Sequence, residues 1–389
     1  MIYNTLGKTG LKVSRLGFGT MRLPTVNSNG NINKEEATEM LNYGIENGIN
    51  LIDTAYPYHN DTLSGSGNGE TFLGEYFKEN SLRDEIILQT KSPSWYIGKH
   101  DDFEFYLNHQ LEKLQTDYVD IYLLHSLTPQ MWKRLYNLGV LDFLDDCLSS
   151  GKVKHVGFSA HMEMEHLIEI VEEYSKWEVA LTQMNYLDEY YQSGAMGLSY
   201  LKEKNIGTMI MEPMRGGRMI NNVPEEVKAW WEISDVERTP VEWALQYLWN
   251  RDDVDCVLSG MSRLKHIKEN VRYASTEDII NEYDQSIIRE VSKQYKASSL
   301  GNDCTNCGYC MPCPQGVDII RCFNEYNIAQ MLRDPKASAL QYFSTIPSDA
   351  RPDRCNDCGE CLPLCTQKIN IPEELKKVHQ YFGSEFNHF

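Results

Sequence analysis

The sequence predicts an α/β protein, with a closed (β/α)8 barrel over residues 1–285 and a linker helix and small cysteine-rich domain over 286–389. Three observations predict it. Short apolar, β-rich runs alternate with longer stretches of helical period up to about residue 285. Eight such runs occur, the number that closes a parallel barrel of this length. Cysteine usage then changes abruptly: only Cys147 and Cys256 fall in the first 300 residues, and the other nine cysteines follow.

The runs are SRLGFGTM (14–21), INLIDTA (49–55), EIILQTK (85–91), YVDIYLLH (118–125), VKHVGFSAH (153–161), VALTQMNY (179–186), IGTMIMEPM (206–214) and DVDCVLSGM (253–261). Between the first two lies NKEEATEMLNYGIENG (33–48), in which Ala37, Met40, Leu41 and Ile45 recur at helical spacing. Near-continuous apolar strands separated by amphipathic helices read as buried parallel strands. An open doubly wound sheet is the rival. Its first turn should carry a glycine-rich phosphate fingerprint, whereas this one reads GFGTM. The stretch LSGSGNG (63–69) reads as a flexible lid, and SIIREVSKQYKASSLGND (286–303) as a helix and linker.

Composition excludes several classes. A net charge of −19 with no basic stripe disfavours nucleic acid. No apolar run reaches the roughly 18 residues of a membrane helix. The N-terminus lacks a basic region followed by an apolar run and a small-residue cleavage site, so the chain reads as cytoplasmic. In so long a chain without an export signal, eleven cysteines do not read as a disulfide scaffold.

Function in such barrels sits at the C-terminal strand ends. There the sequence places Asp53 after the second run, Tyr58 five residues on, Lys91 closing the third and His125 closing the fourth. Singly, each has a bland explanation as a cap, a solvated end or a bonded core histidine. Burying four ionisable groups at one mouth costs several kcal/mol unless they pair, so they are expected to pair with one another.

With LGFGTM, DTAYPY, ILQTK, LLH, VGFSAH and LTQMNY in this order over residues 3–275, the chain resembles the aldo-keto reductase superfamily. The resemblance implies that Tyr58 is the general acid, Lys91 and Asp53 its tuners, and His125 the group that orients a carbonyl. An ammonium beside a phenol of pKa near 10 favours the phenolate and lowers that pKa. The resemblance also implies a nicotinamide, NADP(H) or NAD(H). Thr20, Met21 and Asp53 would approach its ribose, and Ser159 and Gln183, with Asn185 nearby, its carboxamide. Met211 stands where many members stack a tyrosine on the nicotinamide. Gly260 and Met261 stand where a Lys-Ser pair often grips a 2′-phosphate, with His266 in the later arginine's place. Arg263 or Lys265 would still reach a phosphate, and Glu269 and Asn270 match adenine contacts. The loops Arg215-Gly216-Gly217-Arg218 and Gly260 to Ser262 lie where barrels bind phosphate. Trp95, Tyr96 and Trp132 lie just beyond strand ends as candidate substrate walls.

The C-terminal part reads CTNCGYCMPCP and then CNDCGECLPLCT, which gives Cys304, Cys307, Cys310 and Cys313, and Cys355, Cys358, Cys361 and Cys365. Three cysteines at three-residue spacing wrap one corner of a cubane, and a fourth commonly serves the partner cluster. The domain resembles bacterial two-cluster ferredoxins, which implies two 4Fe-4S clusters. On the crossed pattern, Cys304, Cys307, Cys310 and Cys365 would hold one, and Cys355, Cys358, Cys361 and Cys313 the other. The first motif is one residue short before Cys313, so Cys322 is an alternative ligand. Thr366 replaces the proline that usually follows the second motif. Zinc is the rival, but it gives no reason for the third equally spaced cysteine.

Taken together, these features point to an oxidoreductase acting on a small-molecule carbonyl or alcohol, coupled to one-electron transfer. Because hydride carriers move two electrons and clusters one, an FMN-containing reductase driven by an external ferredoxin is the alternative cofactor reading. An electron-transfer partner with the barrel as a docking scaffold is the alternative from another class.

Overall fold

The computed structural model describes residues 1–26, 31–60, 66–221, 223–277, 280–297, 301–304 and 307–386. Its strands are β1 (Tyr3–Thr5), β2 (Lys12–Ser14), β3 (Leu16–Gly19), β4 (Leu51–Asp53), β5 (Ile87–Ser92), β6 (Val119–Leu127), β7 (Val153–Ala160), β8 (Val179–Gln183), β9 (Gly207–Met211) and β10 (Cys256–Gly260). β3 to β10 form a closed parallel barrel in chain order, and β10 pairs with both β9 and β3. They are the eight runs read from the sequence.

Period-2 alternation decides which residues face the barrel axis. Leu51, Ile121, Leu123, Val179, Leu181, Met209, Cys256 and Leu258 are buried together in the interior. Their neighbours Ile52, Leu88, Tyr122, Leu124, Phe158 and Ala180 pack against the surrounding helices. Each such aliphatic chain is worth about 1.5–3 kcal/mol when fully buried. One inward step beyond the interior residues, the same alternation turns Asp53, Lys91, His125, Ser159, Gln183 and Met211 toward the axis at the strands' C-terminal ends.

The β1–β2 hairpin sends Leu6 and Val13 into the same interior cluster. Gly7, at φ 44°, makes this possible. A Cβ there would stand 2.2 Å from the Gly207 backbone nitrogen.

The chain forms two compact units. One contains Met1–Gly216 and Arg238–Asn281, and the other Gly217–Glu237 and Glu282–Phe389. Segment 217–237 lies between β9 and β10 in sequence yet packs with the C-terminal residues, so chain order and compactness divide the protein differently. In this second unit the helix Glu282–Ala297 lies against the helix Glu225–Trp231. Tyr295 donates a hydrogen bond to the Met219 carbonyl (2.9 Å), and buried Arg218 to Ser338 Oγ (3.1 Å). The helices Ile319–Leu332, Pro335–Thr345 and Ile371–Phe386 build a second core around Phe323, Tyr342, Leu375 and Phe382. Tyr342 stacks on Phe382 at 4.1 Å. Asp318 and Asp334 cap the first two helices by accepting from Arg321 and Ala337 backbone N–H groups. Among the described residues no helix is long and apolar enough to cross a membrane.

Candidate active site and cysteine cavity

Asp53 ends β4, and Lys91 reaches it from β5. Lys91 Nζ donates to Asp53 Oδ1 (2.5 Å), to the Thr54 carbonyl (2.8 Å) and to Tyr58 Oη (3.2 Å). These three acceptors use all of its protons. Gln89, one inward step before Lys91, donates to the same Asp53 oxygen (2.6 Å), and Thr20 Oγ1 binds the Asp53 carbonyl (2.9 Å). Asp53 and Lys91 are buried, a configuration that holds only because each charge is paired. His125 completes the group, its ring centroid 6.2 Å from that of Tyr58 and 5.1 Å from that of Trp95.

The electrostatics follow from burial and pairing. Burial pulls the Lys91 ammonium down, but Asp53 and Tyr58 outweigh it and hold its pKa above the usual lysine value. Burial pushes the Tyr58 phenol above its ordinary value, against the pull of Lys91. Lys91 thus lowers the phenol as expected, but the net direction is upward. Tyr58 is therefore a protonated phenol at neutral pH. His125 lies well below the usual histidine range, through burial first and then Lys91 and His161, so it is neutral.

The backbone that carries Tyr58 is strapped from behind. Gly67 N–H donates to the Tyr56 carbonyl (2.8 Å) and Gly69 N–H to the Tyr58 carbonyl (3.0 Å). A Cβ on Gly67 would fall 1.9 Å from the Tyr58 oxygen, so only glycine fits. Lys113 holds this strap through the Gly67 carbonyl (2.7 Å), Ser66 Oγ (2.7 Å) and buried Glu70 (3.0 Å). The other Glu70 oxygen accepts from Thr90 (2.7 Å) and Gln110 (2.6 Å), and Gln110 also binds the Lys91 carbonyl (3.0 Å). One buried network thus reaches both Tyr58 and Lys91. Of the stretch read as a lid, residues 63–65 lie outside the described residues, and 66–69 are this strap. Glu70, Gln110 and Lys113 carry no motif signal, because the strand and two helices that bring them together are distant in sequence.

Around the mouth, Ser159 Oγ accepts from Ser126 N–H (2.7 Å). Gln183 and Asn185 both donate to Asp188 Oδ2 (2.9 and 2.6 Å), whose other oxygen pairs with Arg215. Asp188, three residues beyond Asn185 in the loop after β8, is a hub that carries no motif signal in the sequence. It neutralises Arg215, which the sequence offered as a phosphate grip. Arg218 belongs to the second unit. Gly216 and Gly217 are left-handed, at φ 67° and 94°. Met21 and Gly260 are exposed, and Met211 ends β9 half-buried beside Gln183 in register. Met261 is buried in the core, so any ligand contact it makes is through backbone. Ser262 approaches His266 (3.5 Å), Glu269 pairs with Lys265 (3.6 Å), and buried Asn270 donates to Ser259 Oγ (3.1 Å). Trp132 does not line the mouth as the sequence suggested. It packs against Trp177 among the outer helices, because it lies on the core face of the helix Pro129–Asn137.

The residues present fit a nicotinamide. Ser159, Gln183 and Asn185 form a buried polar set at the C-terminal ends of β7 and β8. Thr54 Oγ1, Gln89 Oε1 and His125 Nδ1 are buried without a hydrogen-bond partner among the described residues.

In the second unit, Cys304, Cys307, Cys310 and Cys365 line a small cavity with Gly308, Ile320, Phe323, Gln367, Ile369 and Ile371. Three thiols come from the first motif and one from the second. The Cys361 thiol is raised by burial first and then by Cys355, Cys358 and Cys313. Cys322 is buried elsewhere, its thiol 3.8 Å from the Ala350 carbonyl and pushed up to about 12 by burial. Among the described residues no three Cys, His, Asp or Glu side chains converge as on a single ion. Thiols spread around a cavity suit a multi-iron cluster better than one zinc.

A parallel barrel with a buried lysine–aspartate pair touching a phenol at its C-terminal mouth has the architecture of a barrel enzyme. Comparison with known proteins takes this further. The model of the aldo/keto reductase family matches residues 15–293, and the chain belongs to that family. A 4Fe-4S dicluster domain matches residues 303–369 and forms its C-terminal part. Similar proteins include the 6-dehydroglucose reductase of Novosphingobium aromaticivorans, 33% identical over 40% of this chain and 51% of the relative, so that alignment spans about half of that protein. The L-galactose dehydrogenase of Arabidopsis thaliana is 27% identical over 74% of this chain and 92% of its own. Among solved structures, the holo form of an aldo-keto reductase from Bacillus halodurans superposes with a TM-score of 0.61 at 25% identity, covering 75% of this chain and 96% of its own.

Proposed function

We propose that this oxidoreductase interconverts a carbonyl compound and its alcohol at Tyr58, and that its dicluster domain carries electrons one at a time. A bound NADP(H) or NAD(H) would exchange two electrons as hydride, and each 4Fe-4S cluster one. In the reducing direction, Tyr58 gives its phenolic proton to the carbonyl oxygen as negative charge develops there. Lys91, held charged by Asp53, stabilises the phenolate left behind. Neutral His125 accompanies Trp95 beside the phenol, where it orients the carbonyl. Ser159 and Gln183, the latter set by Asp188, would hold the carboxamide.

The single observation that carries this reading is the contact chain Asp53–Lys91–Tyr58 in a buried site. Two of the relatives named above are a 6-dehydroglucose reductase and an L-galactose dehydrogenase, so sugar-like α-hydroxy carbonyls are the proposed substrate class. The test uses glyceraldehyde with NADPH or NADH and the anaerobically prepared full chain. Tyr58→Phe is expected to lower kcat at least about 100-fold while the cluster absorbance stays unchanged. Undiminished turnover in that variant would refute the site. An FMN reading draws on the arginine-rich loop, but Asp188 already neutralises Arg215. Flavin released on denaturation would restore it.

A further inference from the structure

We infer that Thr366 tunes the reduction potential of the cluster bound by Cys304, Cys307, Cys310 and Cys365, by donating its hydroxyl proton to Cys307 Sγ. The inference rests on the cluster reading above. Thr366 Oγ1 lies 3.6 Å from Cys307 Sγ, within range for a hydrogen bond to sulfur. The two come from different motifs, fifty-nine residues apart, and meet only because Cys365 crosses to the cavity of the first motif. The direction of the bond follows from the chemistry of both groups.

An iron-bound cysteine is a thiolate and carries no proton, so the hydroxyl is the only possible donor of this pair. Gln367 Nε2, whose residue also lines the cavity, donates to Thr366 Oγ1 at 3.3 Å. That bond occupies an acceptor lone pair of the hydroxyl and leaves its proton for the sulfur. A proline at this position, as the usual motif has, offers no donor. Reduction adds one negative charge to the cluster and its sulfurs. A donated proton stabilises that extra charge and raises the potential. Ile369 N–H donates to Cys365 Sγ (3.4 Å) on the same side, a backbone bond that a Thr366 side-chain change leaves in place. Thr366 is exposed, so water competes for the sulfur and the effect is moderate.

The experiment is a redox titration of the anaerobic holoprotein between dithionite and ferricyanide, followed by electron paramagnetic resonance, with iron and sulfide assayed in every sample. Thr366→Val is expected to move one of the two cluster signals to more negative potential and leave the other unmoved. The expected change is about threefold to tenfold in the one-electron reduction equilibrium, where tenfold is 59 mV. Thr366→Ser, which keeps the donor, is expected to hold the wild-type value. Unchanged potentials in the valine variant with full iron overturn the inference, as does a serine variant that shifts equally. Should the valine variant lose iron, Thr366→Ala decides: full iron at wild-type potential overturns the inference, and full iron at lowered potential supports it. Wild-type protein without iron refutes the cluster reading instead, a result distinguishable by the iron assay alone.

Discussion

The two units organise their chemistry by opposite means. In the barrel, the buried polar group at the mouth is assembled from the protein's own charges. Lys91, Asp53, Gln89 and Tyr58 satisfy one another at 2.5 to 3.2 Å, inside a wall whose strand alternation aims them at one point. In the cysteine unit, four thiols stand around a cavity, and among the described residues no three of them converge as on one ion. Burial and neighbouring thiols push Cys310 up to about 11, so without iron it is a neutral thiol. A buried charge pair needs an exact counter-charge and little else, whereas a thiol ring is completed by the metal that displaces its protons. The first site is preorganised by packing, and the second by the spacing of its cysteine loops.

The largest expected effect tests whether the units are separable. A chain ended after Asn281 keeps the barrel strands but loses the helix Glu282–Ala297 that lies against segment 217–237. Met219, Val227 and Trp231, buried in the whole chain, lose that cover. Such a chain is expected to be recovered largely in the insoluble fraction. A soluble truncated protein with native melting behaviour would show that the second unit is an independent appendage.

Lys91→Met probes the preorganised site itself. It leaves Asp53 as an unpaired buried carboxylate, expected to cost about 3–5 kcal/mol of stability in denaturant unfolding. A loss below about 1 kcal/mol would mean that Asp53 is solvated rather than held by Lys91.

The smallest effect concerns His125, whose pKa lies well below the ordinary value of 6.5. As pH falls below 6.5, the unfolded chain binds a proton that the folded site refuses, so stability falls with it. His125→Gln is expected to reduce that acid-side loss and leave stability above pH 7.5 unchanged. Parallel stability–pH curves for the two proteins would place His125 in solvent.

Much of the fold was legible because its signals are local. Apolar runs and helical periods depend on near neighbours, and all eight runs became barrel strands. Asp53, Lys91 and His125 were legible for the same reason, since each lies an even number of residues beyond an inward-facing apolar residue on its strand. The cysteine spacing likewise announced a dicluster domain, because a loop wrapping a cubane must repeat at short intervals.

What only the tertiary structure decided is which distant groups meet. Glu70, Gln110 and Lys113 brace Tyr58 and Lys91 from two helices behind the strand, and Asp188 claims Arg215 from the preceding loop. Segment 217–237 leaves the barrel's company for the C-terminal helices, and Cys365 carries Thr366 across to Cys307. Each of these contacts closes a long loop, and no local pattern records which partner will satisfy a buried charge once the chain has folded. The sequence by itself determined the strands, their inward residues and the cysteine motifs. The pairing of charges and sulfurs was settled by burial, which leaves each buried polar group only the neighbours that the fold supplies.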